Sequence, residues 1–231
     1  MRANADLTRL AEVSSHHLME PSRRLLTFSQ LLRDRLAGVQ KDQEVARSLE
    51  FIEQNATYLR NLVRDIKLYL DADKPRAQVA ELEVTAVLDQ VLHKLAPLVE
   101  QTGAEIKIGD LPPVFFDLPR LRNLFTLLLE NALLYGGMEY HPVVEISGER
   151  AGTMNCYRIS DNGPGVPESY RKRVFEIFER LNGGGRGTGI GLPIARRMVE
   201  GAGGKIALET AESGGLSVVF TLPAQPPGQN S

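Results

Sequence analysis

Two groups of residues in the last third of the chain have the types and spacing to do chemistry. Tyr157 to Ser160 reads as a short strand that delivers Asp161 into a loop, where Gly163 and Gly165 leave little side-chain bulk. A carboxylate at a strand end beside an open loop can accept a hydrogen bond from a ring amino group such as that of adenine. Farther on, Gly187-Thr188-Gly189-Ile190-Gly191 opens a helix, Leu192 to Glu200. Bare backbone N–H groups at a helix N-terminus bind phosphate. The stretch from Ile159 to Ala195 holds eight of the chain's 21 glycines, placed where the backbone must bend sharply or approach another group closely. Either half alone could be a set of surface turns. Together, in this order and with Phe175 and Phe178 between them, they describe a base reader followed by a phosphate cradle.

The pattern resembles the ATP-binding domain shared by sensor histidine kinases, DNA gyrase, Hsp90 and MutL. Asp161-Asn162-Gly163-Pro164-Gly165 is similar to that family's first glycine box, Phe175 and Phe178 to its F box, and Gly187 through Thr188, Gly189, Gly191 and Leu192 to its second glycine box. Asn131, near the end of a helix read at about Pro119 to Tyr135, resembles the N-box asparagine. The resemblance implies ATP and Mg²⁺ as cofactors, with the Asn131 side-chain oxygen on a metal that bridges the phosphates. Without that context an Asn at this place would be read as a helix cap. The segment between Gly183 and Gly187 reads as a short lid over the nucleotide. Its one charge, Arg186, could reach a terminal phosphate or simply be solvated.

Two positions on the Asn131 helix depart from the family pattern. Leu127 stands one turn earlier, where ATP-hydrolysing relatives carry a Glu that activates water and kinases usually carry another Asn. It supplies no base, which weighs against a gyrase-like ATPase. Leu134 stands where kinases commonly have Lys, so phosphate contacts are thinner and weak ATP affinity is expected.

Near the start of the chain, residues 4 to 37 read as one long helix with a seam of Leu7, Ala11, Ser14, Leu18, Pro21, Leu25, Phe28 and Leu32. Those steps of four and three are the spacing of a helix packed on other helices, and Pro21 should kink it. His16 points away from the seam into solvent. The run Ser15-His16-His17-Leu18-Met19-Glu20-Pro21 resembles the phosphoacceptor motif of histidine kinases, in particular a phytochrome-like subgroup. That resemblance makes His16 the phosphorylated residue, and a near-neutral pKa leaves its ring nitrogen free to attack phosphorus. The family places Asp or Glu next, and this chain has His17, which brings no fixed negative charge. Glu20, one turn along from His16, could stand in for it.

The remaining elements must position these groups. After a polar turn from Gly38 to Asp42, a second helix carries the seam Leu49, Ile52, Ala56, Leu59, Val63, Ile66 and Leu70. Two such helices cannot close a core alone, so the expected arrangement is an antiparallel hairpin that joins a second copy in a dimeric four-helix bundle. The fold class is thus α plus α/β, the second part being the α/β sandwich of the Bergerat ATP-binding fold that the resemblance implies. Expected domains are a helical hairpin over 1–73, a linker over 74–80, a catalytic ATP-binding domain over 81–224 and a disordered tail over 225–231. In the catalytic part, helices at Thr85 to Thr102 and Pro119 to Tyr135 alternate with strands at Glu105 to Ile108, Val143 to Ser147 and Asn155 to Ser160. A helical patch ends in Val174-Phe175-Glu176-Ile177-Phe178-Glu179-Arg180-Leu181, and a hairpin follows at Lys205 to Thr210 and Leu216 to Leu222.

Bulk properties agree with a globular protein of one or two domains: 231 residues, 42% hydrophobic and 24% charged. A net charge of −2 gives no reason to expect a nucleic-acid partner. The one cysteine, Cys156, excludes an internal disulfide and suits a reducing cytoplasm as a packed core thiol. No apolar run reaches the ~18 residues of a membrane span, and the polar first residues are no signal peptide. His93 and His141 have no ligand-type neighbours at metal spacing and are expected to be structural or solvated. The resemblance implies a two-component kinase core that moves the γ-phosphoryl group of ATP to His16 and then to an aspartate of a response-regulator receiver domain. A homodimer is implied, with the sensory domain missing or separate. The alternative is a degenerate kinase serving as a phosphorelay or regulatory dimerisation module.

Overall fold

The computed structural model describes residues 23–33, 43–72, 74, 78–135, 141–181 and 187–226. They fall into two compact units, divided between Asp71 and Ala72. In the first, α1 covers residues 23–33 and α2 runs from Gln43 to Asp71, with an ion pair between Arg33 and Glu53 joining them. Leu49, Ala56 and Val63 of α2 are buried, at the seven-residue spacing that the heptad predicts. The other seam positions differ. Ile52 is 41% exposed, and Leu25, Phe28 and Leu32 of α1 are 50%, 62% and 50% exposed. The acceptor motif, the kink expected at Pro21, the turn expected at 38–42 and the tail from 227 lie outside the described residues.

The second unit is an α/β layer structure. Its five-stranded sheet has the order β2-β4-β5-β7-β6, formed by Glu105–Ile108, Val143–Ala151, Met154–Asp161, Leu216–Pro223 and Ile206–Thr210 respectively. Only the β2–β4 pair is parallel. The central strand β5 alternates strictly: Asn155, Tyr157, Ile159 and Asp161 are buried, while Cys156, Arg158 and Ser160 look out from the other face. Three helices, α3 (Val84–Thr102), α4 (Leu118–Tyr135) and α5 (Gly191–Glu200), supply the apolar stripes that complete the core. Leu121, Leu124, Phe125, Leu128 and Leu129, the stripe read from sequence, are all buried. Phe125 of α4 meets Phe220 of β7 edge-on at 6.0 Å, and Phe220 stacks on Tyr157 of β5 at 5.6 Å. The opposite sheet face is polar, carrying the Lys107–Glu145 and Arg158–Glu209 ion pairs.

Two features differ from the sequence expectation. A small antiparallel sheet pairs β1 (Ala80–Leu82) with β3 (Val114–Phe116), where only a linker end and a Pro-Pro turn were expected. The patch read as helical contains only single 3₁₀ turns at Glu168–Tyr170 and Arg173–Phe175. Its apolar spacing is helical, but Glu176 is extended and Phe178 has φ +68°, and neither conformation continues a helix.

Candidate functional site

Asp161 is the last residue of β5, on the helix-covered face of the sheet and 5% exposed. One carboxylate oxygen, Oδ1, accepts two backbone hydrogen bonds, from Gly163 N–H at 2.9 Å and Leu216 N–H at 3.2 Å. This arrangement leaves Oδ2 for a ligand. Burial raises the Asp161 pKa, and the two backbone donors oppose that shift. Neighbouring Asn162 serves the scaffold: its Oδ1 accepts from Val143 N–H at 2.8 Å and its Nδ2 donates to the His141 carbonyl at 3.1 Å. Gly165 takes φ +68°, the left-handed region that glycine enters freely.

The second group lies where α5 begins. Ile190 caps the helix without any side-chain hydrogen bond, so the first-turn amides at Gly191 and Leu192 are not taken by a cap. Pro193 follows, and its missing N–H costs nothing in a first turn. Thr188 is buried, and its Oγ1 accepts a long bond from Ile190 N–H at 3.4 Å. Gly189, at φ +75°, accepts a hydrogen bond at its carbonyl from Phe178 N–H at 3.0 Å. That bond ties the two-Phe segment to the glycine loop. Phe178 itself is 60% exposed, whereas Phe175 is half-buried under the Arg196 guanidinium, 5.7 Å from its ring centroid.

Asn131 sits half-buried in the last turn and a half of α4. A hard amide oxygen fits Mg²⁺, which keeps most of its ligands as water and phosphate oxygens and so needs few from the protein. No cluster of three or more acidic, His or Cys side chains that could cage an ion occurs among the described residues. Leu127 is buried, with its Cδ2 3.9 Å from where a Cβ on Gly191 would lie. This position is part of the α4–α5 packing and offers no base. His93 and His141 are exposed. His16, His17, Glu20 and Arg186 lie outside the described residues.

Sequence reading missed three groups at this site. Arg180 packs its Cγ beside Gly189, and its Nε is buried with no hydrogen-bond partner among the described residues. A buried guanidinium nitrogen without an acceptor is costly, and a phosphate oxygen would satisfy it. Tyr135 accepts a hydrogen bond at its hydroxyl from Gly187 N–H at 3.3 Å, and a Cβ on Gly187 would stand 2.6 Å from that oxygen. Its place four residues after Asn131, on the same helix face, was the available signal. Leu216 N–H reaches Asp161 across 55 residues of chain, with no local signal at all.

Known proteins give the setting. Residues 116–226 match the family described as histidine kinase-, DNA gyrase B-, and HSP90-like ATPase. The phytochrome-like protein Cph1 of Synechocystis is 32% identical over 224 residues, 96% of this chain and 30% of that protein. The methanogenesis regulatory histidine kinase FilI of Methanothrix harundinacea is 27% identical over 95% of this chain and 25% of its own. This chain therefore spans under a third of the length of either relative. The histidine kinase ThkA, solved in complex with the response regulator protein TrrA, shares the fold at a TM-score of 0.65 and 18% identity, over 99% of this chain and 66% of its own. No described helix is long and apolar enough to cross a membrane. A buried carboxylate at a strand end, a glycine-opened helix and the matching relatives place residues 116–226 in the histidine kinase-, gyrase B- and HSP90-like ATPase family and make the chain a sensor histidine kinase catalytic core.

Proposed function

We propose that the chain is the ATP-dependent autokinase part of a two-component system. Adenine rests against Asp161, the triphosphate lies at the Gly187–Gly191 amides, and Asn131 holds a Mg²⁺ that neutralises phosphate charge. An unprotonated ring nitrogen of His16 attacks the γ-phosphorus. The bond to the bridging oxygen breaks, ADP leaves, and the phosphoryl group then passes from nitrogen to a carboxylate oxygen of a receiver-domain aspartate. Positioning and charge neutralisation carry most of such a reaction. The single observation that supports this reading best is the Asp161 carboxylate, buried at a strand end with one oxygen fixed by two backbone donors. Arg180 adds a candidate cation for the phosphates.

A homodimer is part of the proposal. Leu25, Phe28, Leu31, Leu32, Phe51 and Ile52 are all exposed on the two helices, an apolar surface that a second hairpin would cover. A response-regulator partner follows the relative solved with one. The deciding experiment is incubation with γ-labelled ATP. Acid-labile, base-stable label that disappears in His16→Gln supports the autokinase. The second reading, a relay or dimerisation module with little autokinase activity, is favoured by Leu127, which is committed to core packing, and by His17 and Leu134. It predicts no label, with the response regulator still bound.

A further inference from the structure

The tip of the hairpin between β6 and β7, residues 211–215, lies outside every motif that the sequence assigns to the nucleotide. It nevertheless closes on the end of β5 from several sides. Ser213 Oγ donates to the main-chain carbonyl of Asp161 at 3.0 Å, and Leu216 N–H holds the Asp161 Oδ1 at 3.2 Å. Gly215 runs so close to this strand end that a Cβ there would overlap the Asp161 carbonyl and stand 2.7 Å from Gly163 N. A Cβ on Gly165 would lie 3.3 Å from the carbonyl oxygens of both Gly214 and Gly215.

The tip is itself braced. Gly214 N–H donates to the Ala211 carbonyl and Ala211 N–H to the Gly215 carbonyl, each at 2.9 Å. Arg171 spans the two loops, donating from Nε to the Val166 carbonyl at 3.2 Å and from Nη2 to Thr210 Oγ1 at 2.6 Å. Asp161 thus has its backbone and one oxygen fixed by a segment more than 50 residues away in sequence.

We propose that Ser213 is a positioning residue for base recognition. It fixes the end of β5 so that Asp161 presents Oδ2 at one angle to a ring substituent of the purine. This rests on the reading of Asp161 as the base reader. A carboxylate held this way favours an exocyclic amine, which donates, over a ring carbonyl, which repels it. The Ser213 residue is exposed, so removing its hydroxyl leaves no cavity in the core.

Calorimetry of the full chain with Mg·ADP and Mg·IDP tests this, since inosine carries a carbonyl where adenine carries the amine. The native chain should bind ADP more tightly than IDP. Equal binding would overturn the base-reader assignment itself, whatever Ser213 does. With that preference in place, Ser213→Ala should reduce it roughly 3- to 10-fold, the loss expected for one hydrogen bond, by weakening ADP alone. Ser213→Thr, which keeps the hydroxyl, should restore it. An unchanged ADP/IDP ratio in Ser213→Ala, or equal weakening of both nucleotides, would overturn the positioning role.

Discussion

The two ends of the candidate nucleotide site are built by opposite means. The base end is a buried carboxylate at the close of a central strand, clamped by backbone donors from the following loop and from the start of β7. The phosphate end has half-buried glycines at 187, 189 and 191, held by one tyrosine hydroxyl and by a Phe in the left-handed region. Direction matters at the base, so that end is rigid. Charge matters more than angle at the phosphates, so amides and a cation are enough. Stability and affinity should therefore respond differently at the two ends.

The largest effect is expected at Asp161→Asn, which replaces the free acceptor with an amide facing another donor. Nucleotide affinity should fall by roughly 100-fold, the cost of a lost charge-assisted bond and an unpaired donor. The thermal midpoint should hold or rise, because burial disfavours the charged form. Calorimetry and a melting curve of the same variant decide both, and a fall in both would erase the contrast between the ends. Next is Arg180→Met at the phosphate end. ATP binding should weaken about 10-fold without loss of stability, since an unpartnered buried nitrogen is removed.

Gly189→Ala is the stability counterpart. The φ of +75° and a Cβ placed 3.1 Å from Phe178 Cα should cost about 1–2 kcal/mol, or a midpoint lower by about 3–6 °C. The smallest effect at neutral pH is that of proton uptake. With its pKa raised by burial, Asp161 takes up its proton at a higher pH in the folded chain than in the unfolded chain. Between those two values the folded state holds the extra proton, so this group's contribution to stability falls as pH rises through the window. Nucleotide affinity runs the other way, rising with the ionised carboxylate. A titration of ADP affinity that shows its acid limb above the usual aspartate range, absent in Asp161→Asn, would confirm the sign.

The scaffold was readable wherever periodicity was long. The α4 stripe, the alternation of β5 and the hairpin of β6 and β7 each repeat over enough residues to identify the element and its buried face. β1 and β3 were not readable, because three residues are too few to carry a period. The Val174–Leu181 run misled for a related reason. Its apolar spacing is helical, but Phe178 turns against Gly189, a partner that local sequence does not name. At the site, Asp161 and the second glycine group announce themselves by composition. Leu216 and Ser213 act through backbone or an exposed hydroxyl from across the sheet, and Arg180 through an unsatisfied nitrogen, none of which leaves a sequence trace.

The outward face of β5 has a practical consequence. Cys156 is the single thiol in the chain, half-buried there, and burial together with Glu149 pushes its pKa up. It will therefore alkylate slowly at neutral pH. A reporter cysteine placed at an exposed position such as Phe178 could be modified first, so a fluorophore could follow the glycine loop without the native residue being removed.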